Sequence, residues 1–234
     1  MTTPFITRHR RALLPLLGAL ALAWSAPAAA QAAAEKPMDH AAHMAHAMHA
    51  AQEEDSTPVK LSGASVYQIK SALTDQDGRS FKLDQRRGQP VLVSMFYNSC
   101  KFVCPMLIDT MRNTEQTLTP EERAKLQVML ITFDPERDDV KALKAVSVQR
   151  ELDSARWTLA RTDPASVRQI AAALDIQYRK LGDGEFNHTT VLVLLDGEGR
   201  IIGRSKKLGA VDPVFQKLLK QTLQAAAAPA AHVH

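Results

Sequence analysis

The chain of 234 residues contains two cysteines, two tryptophans and three tyrosines, and aromatic residues make up 5% of it. So few cysteines exclude a disulfide-framework miniprotein and a zinc module built on four cysteines. The sparse aromatics are not interleaved with basic runs, which argues against nucleic acid as a partner. No apolar run reaches the roughly 20 residues a bilayer-spanning helix needs. No internal repeat marks a solenoid or propeller. Charge of one sign is also missing once residues 1–30 are set aside. That segment holds three arginines and no acid, so 29 basic residues become 26 against 25 acidic ones.

The two ends read as separate from the fold. Arg8, Arg10 and Arg11 form a basic region, Ala12 to Trp24 is an apolar stretch of 13 residues, and Ala28-Ala29-Ala30 supplies small residues at a cleavage position. Residues 1–30 are therefore expected to be a signal peptide, cut near Ala30, of an exported, periplasmic protein. Retention of that segment would be the route to an inner-membrane anchor. Residues 31–58, rich in Ala, Glu, Pro and His without apolar periodicity, read as a disordered tether. Within it, Met38, His40, His43, Met44, His46, Met48 and His49 place seven thioether or imidazole donors in 12 residues. Those donors select copper, Cu(I) above all, so a secondary copper site is expected there. Residues 226–234, with His232 and His234, read as a disordered tail.

Residues 59–225 are of a length for one domain with its own core. Val66–Ile69 and Ser80–Leu83 flank the turn signal Asp75-Gln76-Asp77-Gly78 and read as a hairpin. Val91–Tyr97 and Val128–Phe133 are apolar runs of the kind buried on both faces of a sheet. Leu107, Met111, Thr114 and Leu118 recur at helical spacing after Pro105, and Pro120 is expected to end that helix. Asp138 is read as the N-cap of a helix carrying Leu143 and Val146, with Val148 as a further candidate for its apolar face. Trp157–Ala160 is a short strand, and Thr162-Asp163-Pro164 opens a helix with Val167, Ile170 and Leu174 on one face. Gln177–Leu181 reads as extended. Thr189–Leu195 and Arg200–Ser205 pair across Asp196-Gly197-Glu198-Gly199, and Asp212-Pro213 opens a last amphipathic helix. Parallel crossovers followed by an antiparallel hairpin and a closing helix predict an α/β, thioredoxin-like fold with an added N-terminal β-hairpin.

Cys100 and Cys104 fall where the first buried strand meets a helix N-terminus, which is where open α/β sheets place their sites. Backbone N–H groups and the helix dipole favour thiolates there, and Lys101 adds positive charge beside Cys100. Two cysteines so close together close too small a loop for a strong structural disulfide. Residues at i and i+4 on a helix have Cα atoms about 6 Å apart, which permits a dithiol, a disulfide or two ligands to one metal. Elimination points to a third donor, since His188 is the one histidine outside the signal peptide, tether and tail. It precedes the strand Thr189–Leu195, in the neighbourhood where thioredoxin-like enzymes keep a cis-proline, and no proline stands there in this chain. Two thiolates and an imidazole suit copper better than magnesium or calcium. Asp134, at the end of the second buried strand, is placed to orient a ligand or to bear on thiol protonation.

These blocks together resemble the Sco/SenC family of copper-binding, thioredoxin-fold proteins over about residues 60–222. The resemblance lies in Phe96-Tyr97 leading to Cys100-Lys101-Phe102-Val103-Cys104-Pro105, in Phe133-Asp134-Pro135-Glu136-Arg137-Asp138, and in His188 ahead of a Leu-rich strand ending Asp196-Gly197-Glu198-Gly199. Lys101 departs from the proline the family often carries after the first cysteine. The resemblance implies that Cys100, Cys104 and His188 are copper ligands and that the protein helps to mature the dinuclear CuA site of cytochrome c oxidase. It implies as partner the oxidase's copper-binding subunit or another periplasmic copper chaperone. The same dithiol also fits a thiol-disulfide oxidoreductase, with Cys100 attacking and Cys104 resolving. A peroxide-reducing enzyme of thioredoxin fold is a third reading.

Overall fold

The computed structural model describes residues 65–227. The expected signal peptide, the stretch from Met38 to His49 and the two C-terminal histidines lie outside the described residues. The strands are β1 (Ala72–Asp75), β2 (Ser80–Lys82), β3 (Val91–Phe96), β4 (Gln127–Thr132), β5 (Trp157–Arg161), β6 (Tyr178–Lys180), β7 (Phe186–His188), β8 (Leu192–Leu195) and β9 (Ile201–Ser205). The helices are α1 (Val103–Gln116), α2 (Pro120–Ala124), α3 (Val140–Gln149), α4 (Pro164–Leu174) and α5 (Pro213–Ala227). Seven strands make one sheet in the order β2-β1-β5-β4-β3-β8-β9, and β6 and β7 pair apart from it. The parallel strands β3, β4 and β5 and the antiparallel hairpin β8–β9 give the thioredoxin-like arrangement expected from the sequence.

Burial explains why these segments are strands. All six side chains of β3 and all four of β8 are buried, as befits strands covered on both faces. Ser94, the one polar residue of β3, donates from Oγ to the Val191 carbonyl at 2.6 Å and ties the approach to β8 onto β3. At the other flank Gln76 extends the sheet with its side chain. Its Nε2 donates to the Trp157 carbonyl at 3.1 Å and its Oε1 accepts from Leu159 N–H at 2.8 Å. Trp157, 2% exposed, donates from its indole to Glu115 of α1 at 2.8 Å, and Arg156 pairs with the same carboxylate.

Several local expectations change. Val66–Gln68 is a single 3-10 turn capped by Ser65, whose Oγ accepts from Tyr67 N–H, and the hairpin's first strand is Ala72–Asp75 instead. Asp75 closes that hairpin by accepting from Asp77 N–H and Arg79 N–H, both at 2.9 Å. Pro120 starts a new short helix with a Thr119/Glu122 capping box. Asp139, not Asp138, caps α3 by accepting from Ala142 N–H. The helix α5 runs two residues beyond the expected domain end at 225. No helix among the described residues is long and apolar enough to cross a membrane.

Two substitutions separate cap from core. Asp139→Ala should cost about 1 kcal/mol through loss of the cap. Leu130→Ala, at a fully buried position in β4, should cost roughly 2–5 kcal/mol. Urea unfolding of the reduced protein checks both.

Candidate metal centre

Strands β3 and β4 finish side by side, with Phe96 opposite Thr132. Beyond Phe96 the chain turns through Tyr97–Phe102 into α1. Cys100 N–H donates to the Tyr97 carbonyl at 3.4 Å, closing the turn. Cys104 N–H then donates to Cys100 Sγ at 3.3 Å. The helix begins at Val103, so only Cys104 sits on it, and Cys100 lies in the turn ahead. Both thiols are free, Cys104 buried and Cys100 half-buried. Pro105 is the third helical residue, where a missing N–H removes a donor that has no intrahelical partner.

His188 does not come from a loop leading directly into the next sheet strand. It ends β7, opposite Tyr178 in the β6–β7 ladder, and β8 begins at Leu192. The hairpin brings its imidazole to the thiols, and the ligand atoms of Cys100, Cys104 and His188 lie within 4.8 Å of one another. This is the one group of three such donors found among the described residues. The ring stands edge-on to Tyr97, with centroids 5.7 Å apart, and tilted against Phe133 at 4.9 Å. The ring donates to Cys100 in the metal-free protein, and Nδ1 lies 3.2 Å from the Thr189 carbonyl, where a proton would leave the Nε2 lone pair to a metal.

The site holds a thiolate without metal. The Cys100 thiol is lowered to about 3, chiefly by a hydrogen bond from Cys104. Burial opposes this, and His188 and the N–H groups of Cys104 and Phe102 add to it. Lys101 is exposed and is not among the leading causes of the shift. Burial pushes the Cys104 thiol well up, and its bond to Cys100 and the charge there push it further. Burial, followed by the Cys100 charge, also raises the Tyr97 phenol, so Tyr97 stays protonated and donates to Glu185 at 2.9 Å.

Asp138 is a supporting residue that sequence reasoning took for a helix cap. Its buried carboxylate accepts from Asn98 N–H at 3.0 Å and from Thr132 Oγ1 at 2.5 Å, fastening the cysteine turn to the end of β4. Two adjacent aspartates before a helix gave no signal as to which one caps. Asp134, 2% exposed, accepts from Arg137 Nε. Arg137 Nη2 in turn donates to the Gly184 carbonyl at 2.5 Å, so Asp134 bears on the hairpin that carries His188. Tyr97, Phe133, Tyr178 and Phe186 fill the space beneath that hairpin, with neighbouring ring centroids 5.0–6.3 Å apart.

A folded-state pKa below the ordinary thiol value stabilises the fold above the unfolded pKa near 8.5. That contribution is lost progressively as pH falls toward about 3. For reactivity, Cys100 should be alkylated by iodoacetamide at a rate constant within about twofold between about pH 5 and 8, whereas an ordinary thiol quickens roughly tenfold per pH unit there. Cys104 should stay protected. Mass spectrometry of the reduced, metal-free protein reads both, and a tenfold rise per unit at Cys100 would show an ordinary thiol.

Known proteins share this arrangement of chain. A Stutzerimonas stutzeri protein is 26% identical over 156 residues, 64% of this chain and 74% of its own length. The structure of Bradyrhizobium japonicum ScoI with copper bound aligns at TM-score 0.56 and 22% identity, over 65% of this chain and 96% of that one. BsSco, a member of the Sco family of cytochrome c oxidase assembly proteins with a disulfide switch, aligns at TM-score 0.57 and 16% identity, over 76% of this chain and 98% of that one. The SCO1/SenC family model matches residues 59–223, a span that takes in the dithiol, the Asp134–Asp138 loop and His188, and the chain belongs to that family.

Proposed function

We propose that this chain is a periplasmic copper-binding metallochaperone that assists assembly of the CuA site of cytochrome c oxidase. One copper is held by the Cys100 and Cys104 thiolates and the His188 imidazole. The observation that carries this reading is the convergence of three donors within 4.8 Å, one from the turn before α1, one from the start of α1 and the third from a remote hairpin. Two sulfurs and an imidazole favour copper over hard cations. Cys100 is already ionised, so loading releases one proton, from Cys104. The copper-bound relative and the oxidase-assembly membership of BsSco support the same reading. The receiving partner is the oxidase's copper-binding subunit or another periplasmic copper chaperone. Met38, His40, His43, Met44, His46, Met48 and His49 gather the ion at lower affinity.

A second reading, thiol-disulfide reductase, is favoured by the asymmetry of the two thiols. The Cys100 thiolate attacks a partner disulfide and expels one partner sulfur, forming a mixed disulfide. Cys104 then loses its proton, attacks Cys100 and releases the second sulfur, so the partner gains two electrons and the pair becomes a disulfide.

Anaerobic Cu(I) titration against a competing chelator tests the first reading. The reduced chain should bind one equivalent tightly, and Cys100→Ser, Cys104→Ser and His188→Ala should each weaken it on the order of 100-fold. Full-strength binding by His188→Ala would remove the histidine from the site. Deleting residues 31–58 should abolish additional weak equivalents and leave the tight one. For the second reading, a potential above about −270 mV fits a dithiol that thioredoxin-type reductants regenerate, and a disulfide resistant to them would rule out turnover.

A further inference from the structure

Four large apolar side chains are exposed among the described residues: Phe102 at 52%, Met106 at 40%, Val148 at 66% and Val214 at 49%. Phe102 ends the turn into α1, Met106 lies on the first turn of α1, and Val214 lies on the first turn of α5, just past the junction with β9. These two segments meet. Gly209 N–H donates to Thr110 Oγ1 on α1 at 2.9 Å. A Cβ on Gly209, whose φ is +76°, would stand 3.8 Å from Met106 Sδ. The charge here is net positive as well. Residues 98–110 and 202–214 contain Lys101, Arg204, Lys206 and Lys207 against Asp109 and Asp212, in a chain that is nearly balanced beyond residue 30. Both acids are engaged, Asp109 with Arg150 and Asp212 with Ser205 Oγ and the N–H groups of Val214 and Phe215. Arg204 donates to the Leu174 carbonyl, while the three lysines are exposed. On the other side of the thiols the β6–β7 hairpin is mixed in sign, with Asp183 and Glu185 beside Arg179 and Lys180.

We infer that the turn into α1 and the β9–α5 junction form the docking face for an acidic protein surface that surrounds the residues accepting copper. This rests on the carrier reading. An apolar centre ringed by charge is the anatomy of a specific but releasable protein contact. Lysines at its rim raise the rate of encounter more than they lengthen the complex's life. With Cys100 at the margin of the patch, a docked donor atom reaches the metal before the chaperone's own sulfurs let go. A lipid headgroup supplies negative charge but no sulfur or imidazole to receive the ion, so a protein is the occupant that fits both features.

The test uses the copper-loaded full chain and the apo, soluble copper-binding domain of the oxidase subunit, with transfer followed by the acceptor's absorption. The wild-type rate should fall at least about fivefold between about 20 and 200 mM salt. Lys101→Glu/Lys207→Glu should transfer at least about tenfold more slowly at low salt. Lys125→Glu/Arg200→Glu, with the same change of charge at the opposite end of the sheet, should stay within about twofold. Unchanged transfer by Lys101→Glu/Lys207→Glu would overturn the docking face and leave the carrier reading standing. A tenfold loss of Cu(I) affinity in that variant would also overturn it, by moving the lysines into the metal site. Binding to phosphatidylglycerol vesicles that needs these lysines, with transfer unaffected, would assign the face to a membrane and defeat the proposal. A loaded wild-type protein that never passes copper to the acceptor would sink the docking face together with the carrier reading it rests on.

Discussion

A sulfur anion kept half out of water sets the terms for the rest of this site. Burial alone would protonate Cys100, as it does Cys104. What reverses the sign is a ring of donors: the Cys104 thiol, His188, and the N–H groups of Cys104 and Phe102. Two of those donors are the groups proposed to ligate copper alongside Cys100. In the metal-free protein, hydrogen bonds thus hold the three residues in the cluster a cation would occupy. Loading the site replaces shared protons with a metal and requires little rearrangement of the fold, which lowers the ordering cost of binding.

That ring is built from two pieces of chain with separate fastenings. The cysteine turn is held by the Asp138 carboxylate, which links Asn98 N–H to Thr132 at the end of β4. The histidine hairpin, which is not part of the central sheet, is held by Arg137 on the Gly184 carbonyl, by Tyr97 on Glu185, and by rings packed beneath it. Asp138 and Arg137 both belong to the single loop Asp134–Asp138. One short stretch therefore helps set the distance between the dithiol and the imidazole, although it contributes no donor to the cluster. The buried Asp134 acts through Arg137, at one remove from the hairpin it steadies.

Much of this was legible beforehand because its signals are local. The apolar runs of β3, β4 and β8, the proline and aspartate starts of α4 and α5, and the turn signals of two hairpins all act within a few residues. The dithiol was legible from its position at the end of a buried strand. Features decided by distant partners were not. Val66 and Tyr67 have strand-like composition, yet Ser65 bonds Tyr67 N–H and turns the chain there. Asp138 and Asp139 are equivalent on paper, and only the arrival of Asn98 and Thr132 separates them. The backbone N–H groups at the helix start were expected to favour the thiolate and do. Lys101, expected to add charge, is exposed to water, whereas the Cys104 thiol and His188, which no local signal marks as donors, do more. The strand β7 is three residues of ordinary composition, made by pairing with β6 and by the aromatic floor under Phe186.

The unequal thiols also bear on how carriage and reduction divide one dithiol. Copper needs both sulfurs ionised, and the buried Cys104 gives up its proton only when a cation replaces it. Reduction needs only the Cys100 anion at first, with Cys104 held protonated until a mixed disulfide removes the neighbouring charge. The same raised Cys104 thiol therefore delays its own ionisation in both schemes until a partner is engaged. In the metal-free protein the Cys100 anion is exposed to exchange and oxidation, and closing the disulfide still requires Cys104 to lose its proton, since the resolving attack proceeds through the anion. Replacing Cys104 would remove that raised thiol together with one of the two sulfurs proposed as ligands.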